Sequence, residues 1–180
     1  ELPNVKSAIN HKIAYVTEDR KGNGLILSET ITQNTISAKP EKVSKHGIYN
    51  FDECRRVAQN SAKEMRTKCA TVDEAVGNLS GGNMQKVLLG KWLFADPDIL
   101  ILDEPTRGID VGAKYEIYCI INRMVAEGKS VILISSEMPE VLGMSDRIYV
   151  MNEGRMIAEM DAKDASQEKI MSCIISSENK

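Results

Sequence analysis

The chain has 180 residues, of which 42% are hydrophobic, 27% charged and 4% aromatic, and its net charge is −3. That is enough chain for one compact domain with a mainly aliphatic core. The slightly acidic balance gives no general pull toward nucleic acid or an anionic membrane, and no run reaches the ~20 apolar residues of a bilayer span.

Along the chain, Ile13-Ala14-Tyr15-Val16 is a short apolar run closed by the polar loop Thr17–Gly24, the pattern of a buried strand and its exit. A polar, irregular stretch with Pro40, Lys45 and Gly47 follows. From Asp52, the expected N-cap, Cys54, Val57, Ala58, Ala62 and Met65 recur at helical spacing. The segment Met84–Ala95 is apolar on most faces, the mark of a buried helix, and Asp96-Pro97-Asp98 breaks it. Ile99–Leu102 and Val131–Ile134 read as strands covered on both faces. Between them Lys114–Glu127 is helical, with a stripe of Ile117, Ile120, Ile121, Met124 and Val125 and a C-cap at Gly128. Strand, helix and strand in that order make a parallel βαβ unit. Ile148–Met151 and Met156–Met160 flank a hairpin turn, and the tail after Asp161 is expected to be a short helix with a frayed polar end.

Cys54, Cys69, Cys119 and Cys173 have no paired or ligand-like spacing, and His11 and His46 stand alone, so free thiols in a reducing compartment are expected. Glu1-Leu2-Pro3-Asn4 is not a signal-peptide start, and the sequon match Asn78-Leu79-Ser80 is read as chance. Basic pairs such as Arg20-Lys21 and Arg55-Arg56 are read as solvated surface.

Two motifs carry the chemistry. Ile99-Leu100-Ile101-Leu102-Asp103-Glu104-Pro105-Thr106 puts two carboxylates at the carboxyl end of a buried parallel strand, where α/β sheets bind ligands. Asp103 suits the shell of a Mg²⁺ ion, and Glu104 suits the orientation or deprotonation of an attacking water. Upstream, Leu79-Ser80-Gly81-Gly82-Asn83 opens a helix with two glycines whose bare N–H groups let a phosphate approach.

These motifs resemble those of the ATP-binding cassette family: LSGGN its signature, ILILDEP its Walker B strand, and Arg107-Gly108-Ile109-Asp110 its D-loop. The blocks YVTEDRKGNG, LSGGNMQKV, DEPTRGIDVGAKYEIY and SSEMPEVLGMSDRIYVMNEGR resemble the second cassette of double-cassette importers of ribose, galactose and xylose type. The resemblance runs from about Ile13 to Ala158. It implies a P-loop NTPase-like (RecA-like) α/β fold, a partial parallel-sheet core with an α-helical subdomain. It also implies ATP and Mg²⁺ as cofactors. Ser80, Gly81, Gly82 and Asn83 would contact a γ-phosphate held by another cassette, Asp103 would hold metal, Glu104 would be catalytic, and Asp110 would lie at the cassette interface. Expected partners are a second cassette, transmembrane permease subunits and, indirectly, a periplasmic sugar-binding protein, with no nucleic acid. The expected location is peripheral, on the cytoplasmic face of the inner membrane.

The sequence departs from an ordinary cassette in three places. Gly128-Lys129-Ser130 ends like a phosphate loop, but Arg123 stands where its first glycine is required, so the true loop is expected upstream of Glu1. Glu18 matches the position of the usual Gln, and Ser136 that of the switch His, whose ring contact a hydroxyl cannot supply. The expected division is core with the Gln-loop equivalent in 1–30, helical subdomain with signature in 31–96, core with Walker B, D-loop and switch in 97–161, and a tail in 162–180. Two other readings are a DNA-repair or chromosome-organising ATPase and a non-catalytic regulatory cassette. Against the first, Val16–Leu79 holds no sustained heptad repeat.

Overall fold

A computed structural model describes residues 2–178, which fall into two compact units with their boundary between Ile134 and Ser135. The first unit begins with α1 (Val5–Asn10), whose N-cap Asn4 accepts a hydrogen bond from the Ser7 N–H. Next come β1 (Ile13–Val16) and α2 (Ile31–Ile36). A short antiparallel pair follows, β2 (Ser44–Lys45) and β3 (Ile48–Tyr49), turned by His46 and Gly47 at φ 52° and 80°. Then come α3 (Phe51–Glu64), α4 (Gly81–Phe94), β4 (Ile99–Asp103), α5 (Val111–Ala126) and β5 (Ser130–Ile134).

The stretch after Gly24 is therefore more ordered than its polarity predicts. Thr30 and Gln33 form a reciprocal cap, each side chain accepting from the other's backbone N–H, and that starts α2. Buried Asn34 then ties α2 to the preceding loop, its side chain bonding the backbone of Ile26, Glu29 and Thr30. The cap of α3 is Asn50 rather than Asp52: the Asn50 side chain accepts from the Glu53 N–H at 3.1 Å. Asp52 sits inside the first turn, where a negative charge favours the helix dipole. The predicted apolar face of α3 is real, with Cys54, Ala58 and Met65 buried.

β1, β4 and β5 form a parallel sheet in the order β1-β4-β5, with Tyr15 level with Ile101 and Ile101 level with Ile132. Ala14, Val16, Leu100 and Leu102 are fully buried on one face. Helix α4 packs on β1, α5 packs on β5, and the two helices touch. The expectation of strands covered on both faces fails on the other side. Tyr15, Ile132 and Ile134, which period-two alternation places together there, are 46%, 53% and 46% exposed. Helix α5 starts at Val111, before the predicted Lys114, because Asp110 caps it. Ile117, Ile120, Ile121 and Met124 are buried as predicted, whereas Val125 is exposed.

The second unit consists of α6 (Met138–Met144), the hairpin β6 (Arg147–Asn152) and β7 (Arg155–Asp161), and α7 (Gln167–Glu178). Glu153 and Gly154 turn the hairpin at φ 48° and 75°. Ile148, Val150 and Ile170 form its core, with Leu142, Ile157 and Met160 against them. The helix expected after Asp161 is the twelve-residue α7, held by Ile170, and residues 179–180 of its expected frayed end lie outside the described residues. Among the described residues, no helix is long and apolar enough to cross a membrane.

Candidate functional site

The site is assembled where β1 and β4 end and where α4 and α5 begin. β4 delivers Asp103, whose carboxylate accepts the phenolic hydrogen of Tyr15 at 2.6 Å. That hydrogen bond, more than burial, raises the Tyr15 pKa above its ordinary value. Next in sequence, Glu104 takes φ 46°, an uncommon conformation for a residue with a side chain. Its N–H donates to the Ile134 carbonyl at 2.9 Å, so the last rung of the β4–β5 ladder fixes where the chain leaves the sheet. Backbone outliers of this sort persist where surrounding structure over-determines them, and they cluster at functional sites.

The loop after β1 grips the loop after β4. Asp19 accepts from the Gly22 N–H at 2.9 Å and winds Arg20–Gly24 into a single π turn. Glu18 forms an ion pair with Arg107. Arg20 donates to the carbonyl oxygens of Arg107 at 2.9 Å and Gly108 at 3.4 Å. The basic pair Arg20-Lys21, expected to be solvated surface, is thus half structural: Lys21 is exposed, while Arg20 is half-buried and engaged.

At the start of α4, Ser80 caps the helix by backbone conformation alone, without a side-chain cap bond. Asn83 orients that hydroxyl, donating to Ser80 Oγ at 3.0 Å while its own carbonyl accepts from the Lys68 N–H at 2.9 Å. Gly82 is required by contact, because a Cβ there would stand 2.7 Å from the Cβ of Ala113. A Cβ on Gly81 would sit 3.4 Å from the Arg20 guanidinium and 3.6 Å from the Gly108 oxygen. Asp110 accepts from the Ala113 N–H at 2.9 Å, and this bond holds its carboxyl below the usual range.

The structure therefore gathers Ser80, Gly81, Gly82, Asn83 and Asp110 around two helix starts, beside the clasp of Glu18, Arg20 and Arg107. Asp103 and Glu104 follow at the end of β4. Ser136 belongs to the second unit, just past β5. Sequence reading missed Tyr15, Arg20 and Lys68 as contributors, and gave Arg107 only as part of a D-loop-like run. Their only signal was proximity to motifs, because the contacts join segments up to 89 residues apart.

Chemically, the first-turn N–H groups of α4 have no acceptor within their own helix and, with the Ser80 hydroxyl, can donate to an anion. Asp103 and Glu104 are hard oxygen donors suited to Mg²⁺, which is commonly held by one or two carboxylates plus phosphate oxygens and water. Among the described residues no cluster of three or more His, Cys, Asp or Glu could hold a metal by itself, so an ion here would need such phosphate ligands.

A family model described as ABC transporter matches residues 3–107. The L-arabinose transport ATP-binding protein AraG of Geobacillus stearothermophilus is 53% identical over 171 residues, 95% of this chain and 33% of that protein. The xylose import ATP-binding protein XylG of Geobacillus kaustophilus is 52% identical over 166 residues, 92% of this chain and 33% of that protein. The galactose/methyl galactoside import ATP-binding protein MglA of Treponema pallidum is 46% identical over 170 residues, 94% of this chain and 34% of that protein. The chain spans about a third of the length of these curated relatives. Among solved structures, a post-hydrolysis dimer of the ATP-binding cassette MJ0796 bound to ADP and Pi gives a TM-score of 0.75 at 21% identity, covering 90% of this chain and 68% of that one. The cassette MJ1267 also gives 0.75, at 23% identity, covering 95% and 71%. These likenesses establish the fold as P-loop NTPase-like α/β.

Proposed function

The chain belongs to the ABC transporter family, and from that premise we propose that it supplies the signature-bearing part of the ATP-hydrolysing subunit of a sugar importer. ATP is its nucleotide and Mg²⁺ its ion. The single observation that carries this reading is the close approach of the glycine-opened α4 to the loop following Asp103 and Glu104 and to α5: a Cβ on Gly81 would meet Arg20 and Gly108, and one on Gly82 would meet Ala113. Ser80, Gly81, Gly82 and Asn83 cover a γ-phosphate gripped by a second cassette. Asp110 faces that cassette, Asp103 holds the metal, and Glu104 orients the water. Magnesium, when bound, neutralises charge on the transferring phosphoryl group. The chain's own task is to place donors and carboxylates around it. Permease subunits bind the helical region 31–96 and the loop at Glu18, a periplasmic sugar-binding protein delivers the sugar, and the assembly sits on the cytoplasmic face of the membrane.

One observation favours the variant in which this cassette's own hydrolytic site is slow or silent. At the position of the usual Gln stands Glu18, whose carboxylate is engaged by Arg107 in an exposed ion pair. The intact signature then serves the other cassette's ATP. ATP turnover in the full transporter tests both parts with Glu104→Gln and, separately, Ser80→Arg. The expected result is a mild effect of the first and near-abolition by the second. If the Glu104 change abolishes transport while the Ser80 change is mild, the assignment is reversed.

A further inference from the structure

Arg20 reaches out of the π turn and sets its guanidinium against the loop that follows β4. One N–H donates to the Arg107 oxygen at 2.9 Å and another to the Gly108 oxygen at 3.4 Å. The same terminal nitrogen lies 3.4 Å from where a Cβ would stand on either Gly81 or Gly108. Gly108 sits at φ 67°, so its carbonyl is aimed by a conformation that few other residues adopt. The contact is reciprocal: Arg107 sends its own side chain back to Glu18, two residues before Arg20. A planar fork of N–H donors can bond two adjacent carbonyls at once, which a lysine ammonium on a flexible stem cannot do in the same geometry. Removing the fork leaves the Arg107 and Gly108 carbonyls without a charged donor, and the exposed Glu18–Arg107 pair, which also joins the two loops, is weak.

We propose that Arg20 is a positioning residue that sets the 104–110 loop against the opening turn of α4, so that Gly81 and Asp110 present one continuous surface to the partner cassette. This rests on the reading of Ser80–Asn83 as a phosphate-covering segment. Arg20 touches no nucleotide itself. It acts through the Arg107 and Gly108 carbonyls, and the adjacent glycines leave it the space.

The test has a structural and a functional arm. In the full-length protein, Arg20→Gln is expected to speed amide exchange of residues 107–113 about tenfold while leaving the unfolding midpoint near that of the parent, and Lys21→Gln is expected to leave exchange unchanged. Parent-like exchange in Arg20→Gln overturns the proposal. Should Arg20→Gln fail to fold, Arg20→Lys keeps the charge but loses the fork, and the same local acceleration is expected of it. In the full-length protein with its permease, Arg20→Gln is expected to lower kcat about tenfold, roughly 1.4 kcal/mol of barrier, with KM for ATP unchanged. A change in KM alone overturns it. Ser80→Arg, run in parallel, separates the two ideas. If Ser80→Arg turns over normally, the covering role itself fails. If Ser80→Arg is dead and Arg20→Gln is normal, only the Arg20 proposal falls.

Discussion

Gly82 and Ala113 bring the first turns of α4 and α5 so close that a methyl group on Gly82 would stand 2.7 Å from the Ala113 Cβ. Both atoms ride on helical backbone, so neither can swing away. Gly82→Ala should therefore destabilise the chain. Alanine's helix preference over glycine favours the change by about 1 kcal/mol, but overpacking between rigid elements costs roughly 1–3 kcal/mol. A net loss of about 1 kcal/mol is expected in urea unfolding. Adding Ala113→Gly should remove the clash and return most of it, and equal losses in the single and double variants would refute this contact.

The Lys86 ammonium is 2% exposed and donates to the Arg66 carbonyl at 2.9 Å and to the Glu116 carboxylate. The hydrogen bond from Lys86, more than any other influence, lowers the Glu116 pKa below its ordinary value. A carboxyl depressed in the folded state contributes stability above its unfolded pKa of about 4.3, and that contribution is lost as pH falls through the folded value. Stability of the parent chain should thus decline as acid titrates Glu116 below about pH 4.3. Glu116→Gln should flatten that segment of the curve. It should also cost about 2 kcal/mol near neutrality by leaving a buried charge with one neutral oxygen acceptor fewer in strength, a figure held down by the partial exposure of Glu116. A parent-like acid profile in Glu116→Gln would argue that other groups, such as Asp96 paired with Lys129, carry the effect.

Leu88 is fully buried in α4, against the loop at Gly24, whereas Ile132 is 53% exposed on the open face of the sheet. Leu88→Ala should lose about 3 kcal/mol through lost transfer energy and a residual cavity. Ile132→Thr should change stability by less than about 0.5 kcal/mol. Comparable losses would show that the open face is covered in solution, a result readable from the same denaturation curves.

That contrast marks what could be read in advance. Periodicity located β1, β4, β5, α4 and α5 because each carries its own hydrophobic pattern. It could not tell that Ile132 and Ile134 lack a cover, since an apolar run looks the same whether one or both faces are packed. The motifs at Asp103, Glu104 and Ser80–Asn83 could be picked out because short spacing encodes them, and the roles given to them are proposals. The Arg20 and Tyr15 contacts were not, because they depend on strands adjacent in space and distant in sequence. The capping exchange of Asn50 for Asp52 is a smaller loss of the same kind: both residue types cap, and only backbone geometry chooses.

Asn83 separates stability from function. Its carbonyl must face the Lys68 N–H, so its amide nitrogen must face Ser80 Oγ. With that oxygen accepting from Asn83, the Ser80 hydroxyl keeps its own hydrogen to donate, and in the proposed role it donates to a phosphate. Asn83→Ala removes both bonds and should cost about 1 kcal/mol of stability together with most ATP turnover in the full-length protein. Asn83→Asp keeps an acceptor for Lys68, and its charge suits a helix start, so the unfolding midpoint should stay near the parent's. It cannot donate to Ser80, and turnover should fall nonetheless. Normal turnover in Asn83→Asp would mean that Ser80 needs no such orientation, and that the phosphate-covering role of this helix start depends on its backbone N–H groups alone.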